Sequence, residues 1–79
     1  NHPDIATSLN NIGSVYNSKG EYENALKYYN EALEIRKKVY VDNPNHPDIA
    51  TSLNNIGSVY DSKGEYENAL KYYNEALEI

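Results

Sequence analysis

Residues Asn1 to Ile35 recur as Asn45 to Ile79 with a single change, Asn17 against Asp61, so the 79-residue chain is a 44-residue unit followed by most of a second copy. Self-similarity at a period of about 20 to 50 residues marks a solenoid, in which one supersecondary unit cannot bury its apolar face alone and does so by stacking on a neighbour. Two units are therefore expected, residues 1–44 and 45–79.

A chain this short builds one small core at most, and such chains commonly depend on a disulfide, a metal or assembly for stability. There is no cysteine, which excludes a disulfide framework and a thiolate metal site. The formal charge is −5 with Lys and Arg scattered, and non-specific phosphate binding needs clustered cations, so no nucleic-acid partner is expected. No apolar run approaches the roughly 20 residues of a membrane span, and the segment NHPDIATS lacks the parts of a signal peptide. A soluble chain with no membrane partner is expected. Its start without methionine and its stop inside the second unit fit a piece of a longer array.

Ile5, Leu9, Ile12 and Tyr16 recur at i, i+4, i+7 and i+11, one face of a helix. Pro3 suits a first helical position and Gly20 a left-handed cap, which sets a helix A over about 3–18. Helix B begins among the acidic Glu21 and Glu23 and runs toward the basic Arg36, Lys37 and Lys38, each group complementing the helix dipole, over about 21–41. The prolines and turn formers of Asp42 to Pro47 forbid a continuous helix, and the second copy repeats the scheme over about 47–62 and about 65–79. The fold class is all-α, a solenoid of two helix-turn-helix repeats.

Helix B carries two apolar seams. Tyr22, Leu26, Tyr29 and Leu33 form one, and Ala25, Tyr28, Ala32, Ile35 and Val39 the other. Two seams suit a helix packed between helix A of its own unit and helix A of the next. The charges of Glu23 with Lys27, Lys27 with Glu31 and Glu34 with Lys38 stand at i, i+4 on the remaining surface, where a pair is worth only about 0.2–0.5 kcal/mol.

Leu9, Ile12-Gly13, Tyr16, Gly20, Tyr22, Ala25, Tyr29 and Ala32, repeated as Leu53, Ile56-Gly57, Tyr60, Gly64, Tyr66, Ala69, Tyr73 and Ala76, resemble the signature of the tetratricopeptide repeat family over nearly the whole chain. HPDIATSLNNIG and EALEIRKKV are similar to the longer variant found in kinesin light chains, although 44 residues exceeds both forms, the extra length lies in Val41 to Asn45, and the proline that usually ends helix B is absent. The resemblance implies four antiparallel helices in right-handed superhelical stacking, close helix approach at Gly13, Ala25 and Ala32, and a helix B lengthened by roughly two turns.

Opposite the apolar stripe of helix A lie Thr7, Asn10, Asn11, Ser14, Asn17 and Ser18, all polar and none charged. Their copies are Thr51, Asn54, Asn55, Ser58, Asp61 and Ser62. These residue types are mediocre helix formers, so a plain solvated face would more usually carry Glu, Lys and Gln. By the resemblance this is the concave face that meets extended peptides, and stacked amides can both donate to and accept from a peptide backbone. Some relatives clamp a terminal carboxylate there with Lys and Arg. The corresponding positions here hold Thr7, Asn10 and Ser14, with Thr51, Asn54 and Ser58 in the second unit, and that activity is not implied.

His2 and His46 each precede an aspartate by two residues, Asp4 and Asp48, but the HPD segment reads as a cap and helix start, and no metal is expected. There is no Ser/His/Asp arrangement and no phosphate-cradling glycine loop, so neither catalysis nor a cofactor is expected. The nine tyrosines fall mostly on apolar seams, Tyr40 beside the linker being the least constrained. A protein-interaction or scaffold module, binding a peptide in the concave groove or assembling by stacking, is the leading reading. A near-identical or consensus-designed repeat with a structural role and no natural ligand is the alternative, and an RNA-binding repeat is disfavoured by the charge. Self-association is expected between helix A of the first unit (Ile5, Leu9, Ile12, Val15, Tyr16) and the second helix B seam of the last (Ala69, Tyr72, Ala76, Ile79), with domain exchange about 42–47 as the other route.

Overall fold

The computed structural model describes residues 3–79, with side chains from Ile5 onward, as four helices, α1 (Pro3–Ser18), α2 (Tyr22–Val39), α3 (Pro47–Ser62) and α4 (Tyr66–Leu77). Among the described residues there is no strand. Consecutive helices form two hairpins, α1 with α2 and α3 with α4, and α2 also packs against α3 while α1 touches α3 more sparingly.

The chain punctuates these helices with local chemistry. Gly20 and Gly64 close the A helices at φ 81°, a conformation that L side chains rarely adopt. Around Gly20 the Glu21 N–H donates to the Tyr16 carbonyl (2.9 Å) and the Gly20 N–H to that of Asn17 (3.0 Å), the paired bonds of a Schellman cap. Glu65 to Tyr60 and Gly64 to Asp61 repeat them at the same distances. Pro47 opens α3, and His46 caps it by accepting the Asp48 N–H on Nδ1 at 3.0 Å. Helix α2 stops at Val39, earlier than the expected residue 41, because Tyr40 leaves the helix at φ −103°, ψ 37°.

Because the two copies share local sequence, differences in their burial report what a neighbouring repeat covers. Leu26 is 9 % exposed and its copy Leu70 57 %, while Val59 is fully buried and its counterpart Val15 is 59 % exposed. Ile49 and Ile56 are buried where Ile5 and Ile12 stand in solvent. The seam of α2 that faces the next repeat is thus Tyr22, Leu26 and Leu33, while the Tyr29 ring lies on the α1 side against Gly13. The sequence reading gave that role to the other seam, and the structure corrects it. Ala69 and Ala76 are buried, Tyr72 stacks on Tyr60 of its own hairpin and Ile79 is partly buried against the core, whereas Tyr66, Leu70 and Leu77 lie open. Ala69 and Ala76 are buried with no further repeat beside them, so the alanine seam belongs to the hairpin, whereas the leucines are covered only where another hairpin packs on them.

Burying a side chain such as Leu26, Leu33, Ile49 or Ile56 contributes about 1.5–3 kcal/mol, several times an exposed ion pair, so these seams decide the architecture. Among the described residues the expected i, i+4 pairs do not form. Lys19 pairs with Glu21 (3.2 Å), and Lys63 with Glu65 (3.2 Å) and, across the junction, with Glu23 (3.0 Å).

Gly13 lies where α1 and α2 come closest: a Cβ there would stand 2.8 Å from two atoms of the Tyr29 ring, which is itself buried and cannot swing aside. Gly57 meets Tyr73 in the same way and has the Ala69 carbonyl 3.2 Å off. Gly13→Leu is therefore expected to lower stability by about 1–3 kcal/mol through overpacking. Urea unfolding followed by circular dichroism measures it, and an unchanged midpoint would show that the α1–α2 approach is looser than described.

Candidate functional site

The polar positions of the A helices fall on one side of the molecule, but the structure sorts them. Thr7, Asn11 and Ser14 of α1 and Thr51, Asn54 and Asp61 of α3 are exposed. Asn10 and Asn17 are half-buried although their counterparts Asn54 and Asp61 are not, which places them on the side of α1 that turns toward α3. Asn55 and Ser58 are half-buried although Asn11 and Ser14 are not, so they flank the seam from the α3 side. The result is a shallow strip along α1 and α3, lined by amides and hydroxyls. The Thr51 hydroxyl is turned back on its own helix and donates to the Pro47 carbonyl (3.2 Å).

At one end of the strip Asn10 is already engaged. Arg36, on the last turn of α2, is buried and sends Nη1 to the Asp48 carbonyl and to Ser52 Oγ, each at 3.0 Å. With its amide oxygen turned toward the guanidinium, Asn10 accepts from Nη1 at 2.9 Å and Nη2 at 3.3 Å. One cation thus joins α1, α2 and α3. Arg36 stands beside Lys37 and Lys38 at the negative end of the helix dipole, but it also continues the Tyr22, Leu26, Tyr29, Leu33 spacing at i+3. That continuation was the signal for burial.

The next step on the same spacing is Tyr40, and it too is fixed. Its ring stacks on His46 with centroids 3.6 Å apart and planes 8° from parallel, and its hydroxyl donates to Asp48 Oδ2 at 2.7 Å. The expectation that Tyr40 is the least constrained tyrosine is therefore corrected: the turn through Asn43 and His46 folds the linker back onto its ring. His46 accepts the Asp48 N–H on Nδ1, so that nitrogen carries no proton in this arrangement. Asp48 meets the junction at three points, its N–H on His46, its carboxylate on Tyr40 and its carbonyl on Arg36. His2 lies outside the described residues, and among them no group of three or more His, Cys, Asp or Glu is placed to hold a metal.

Farther along the strip, Asn17 Oδ1 is buried and has no hydrogen-bond partner within the protein. Its counterpart Asp61, the one position at which the copies differ, is exposed. The strip otherwise carries no basic side chain at the expected ligand positions, so what it presents is hydrogen-bonding capacity rather than positive charge. Burial of Tyr29 beneath Ser14 pushes its phenol up, opposed by a hydrogen bond with that serine. Hydrogen bonding to the Asp48 carboxylate, then burial, holds the Tyr40 phenol above the ordinary tyrosine value.

The family model described as tetratricopeptide repeat matches residues 4–79. No curated relative matches the chain at a significant level.

Arg36→Met keeps the aliphatic stem and removes the donors, leaving Asn10 and Ser52 without their charged partner. It is expected to lower stability by about 1.5–3 kcal/mol, with Asn10→Ala adding little in the double variant because both remove one interaction. Chemical denaturation of the four proteins of that cycle gives the coupling, and full additivity would separate Asn10 from Arg36. A raised folded-state value means that Tyr40 contributes stability fully below the ordinary tyrosine range near about 10 and loses it as pH rises through the higher folded value. Ultraviolet titration should find Tyr40 among the late-ionising tyrosines, with Tyr29 and Tyr60, and Asp48→Asn should bring Tyr40 alone back toward the ordinary value.

Proposed function

The chain belongs to the tetratricopeptide repeat family, and from that membership we propose that it takes an extended peptide along the strip formed by α1 and α3. Repeats of this family are protein-interaction and scaffold modules, typically without enzymatic activity. The observation that carries the finer reading is the uncharged polar face of the A helices, where Asn11, Ser14 and Asn54 are exposed and offer both donors and acceptors.

An extended peptide supplies backbone N–H and C=O groups at regular intervals, and amides answer both. Asn10, one of the expected ligand positions, is committed to Arg36 and belongs to the scaffold in this reading. Peptide contacts then fall on Asn11, Ser14 and Asn17 of α1 and on Asn54, Ser58 and Asp61 of α3. Asp61 adds the only negative charge at these positions and suits a peptide N–H or a cationic side chain at that end of the strip.

Selection from a displayed library of random peptides, followed by calorimetric titration of the selected sequences at low and high salt, tests the proposal. Affinity should fall only weakly with added salt. Asn17→Ala and Asn54→Ala should each cost about 0.5–1.5 kcal/mol of binding, whereas Asn10→Ala should act on stability. Peptides whose affinity collapses in salt and ignores Asn17 and Asn54 would place binding on another, charged surface.

A further inference from the structure

The peptide strip does not account for the nine tyrosines, and four of them stand in two matched pairs. Tyr16 of α1 lies against Tyr28 of α2 with ring centroids 5.6 Å apart and planes 7° from parallel, and Tyr60 of α3 lies against Tyr72 of α4 at 5.7 Å and 8°. All four rings are half-buried, so each pair bridges the two helices of its hairpin and remains reachable from solvent. The other tyrosines are placed differently. Tyr29 is buried, Tyr40 is stacked on His46 and bonded to Asp48, Tyr73 lies against Gly57, and among the described residues Tyr22 and Tyr66 stack on no tyrosine. A cation attends every paired ring: Lys19 is 5.7 Å from the Tyr16 centroid and Lys27 5.6 Å from that of Tyr28, with Lys63 and Lys71 each 5.7 Å from Tyr60 and Tyr72. Burial first, and then the charge that Tyr72 would carry, hold the Tyr60 phenol above the ordinary value, which sets the phenolic ends of that pair within reach of one another.

We propose that Tyr16 with Tyr28, and Tyr60 with Tyr72, are sites of oxidative coupling, each pair closing into a dityrosine that staples its hairpin when a haem peroxidase with hydrogen peroxide supplies one-electron oxidation. Each phenol gives up one electron and one proton, and the two radicals join by a carbon–carbon bond between the positions ortho to their hydroxyls. The ortho hydrogens then leave as protons while each oxygen takes a proton back. Hydrogen peroxide takes up the two electrons and two protons released and ends as water, so a coupled pair has lost two hydrogens. Holding the two rings side by side makes the joining step effectively unimolecular, which favours the neighbour within the hairpin over a tyrosine of another chain. An ammonium beside an oxidised phenol favours loss of its proton. The new bond constrains the unfolded chain as other cross-links do, and so stabilises the hairpin.

Treatment of the dilute full chain with a haem peroxidase and hydrogen peroxide tests this. Dityrosine fluorescence should appear in a monomeric product whose mass is lower by two hydrogens per bond and whose urea midpoint is higher. Tryptic digestion should leave residues 1–19 joined to 28–36 and residues 39–63 joined to 72–79. Tyr28→Phe and Tyr72→Phe keep the ring and remove the phenol, so each should abolish one linkage and the double variant both, with unchanged helical circular dichroism. Tyr22→Phe should leave the yield as it is. In denaturing urea the rings are no longer held together, and the yield within one chain should fall by about tenfold or more. Bonds that form only between chains, that map to other tyrosines or that form equally well in urea would each overturn the proposal, as would oxidation that consumes tyrosine without linking either pair.

Discussion

The architecture depends on α2 being apolar on two sides. A helix with one apolar face completes a hairpin and stops; a second seam obliges it to accept another helix. Leu26 and Leu33 meet that obligation under α3, and burial of a few aliphatic side chains at about 1.5–3 kcal/mol each outweighs the exposed ion pairs around them. The internal repetition makes this measurable within one chain, since the same residues appear once covered and once bare.

Apolar burial alone would let α3 slide or rotate on α2. Arg36 and Tyr40 remove that freedom by continuing the seam in polar form: the guanidinium reaches Asn10, Ser52 and the Asp48 carbonyl, and the phenol reaches the Asp48 carboxylate while its ring covers His46. A buried cation costs desolvation energy that hydrogen bonds must offset, and its value here is geometric: three helices are held in one register. The strip along α1 and α3 inherits that register, which spaces Asn17 of α1 relative to Asn55 and Ser58 of α3. Scaffold and candidate site thus share one set of bonds, and Asn10 belongs to the first.

The helices themselves were legible because their signals are local. Pro47 at a helix start and Gly20 at φ 81° act through the conformations their own backbones allow, and Gly13 announced a close approach because only a missing side chain fits against Tyr29. The polar strip was legible as a composition on one helix face. Its division into engaged and open residues was not, because what engages Asn10 is Arg36 from another helix, a partner that the sequence of α1 does not announce.

By itself the sequence determined an all-helical solenoid of two hairpins, with its turns, its close-packed glycines and an uncharged face on the A helices. Which seam of α2 faces outward, where Arg36 goes and what Tyr40 touches were decided by tertiary structure. Periodicity fixes angles around one helix axis, and both seams satisfy it equally. The choice between them is seen only in burial: the alanines are covered within each hairpin, and the leucines only where the next repeat packs on them. That covering exists only once helices distant in sequence are packed together.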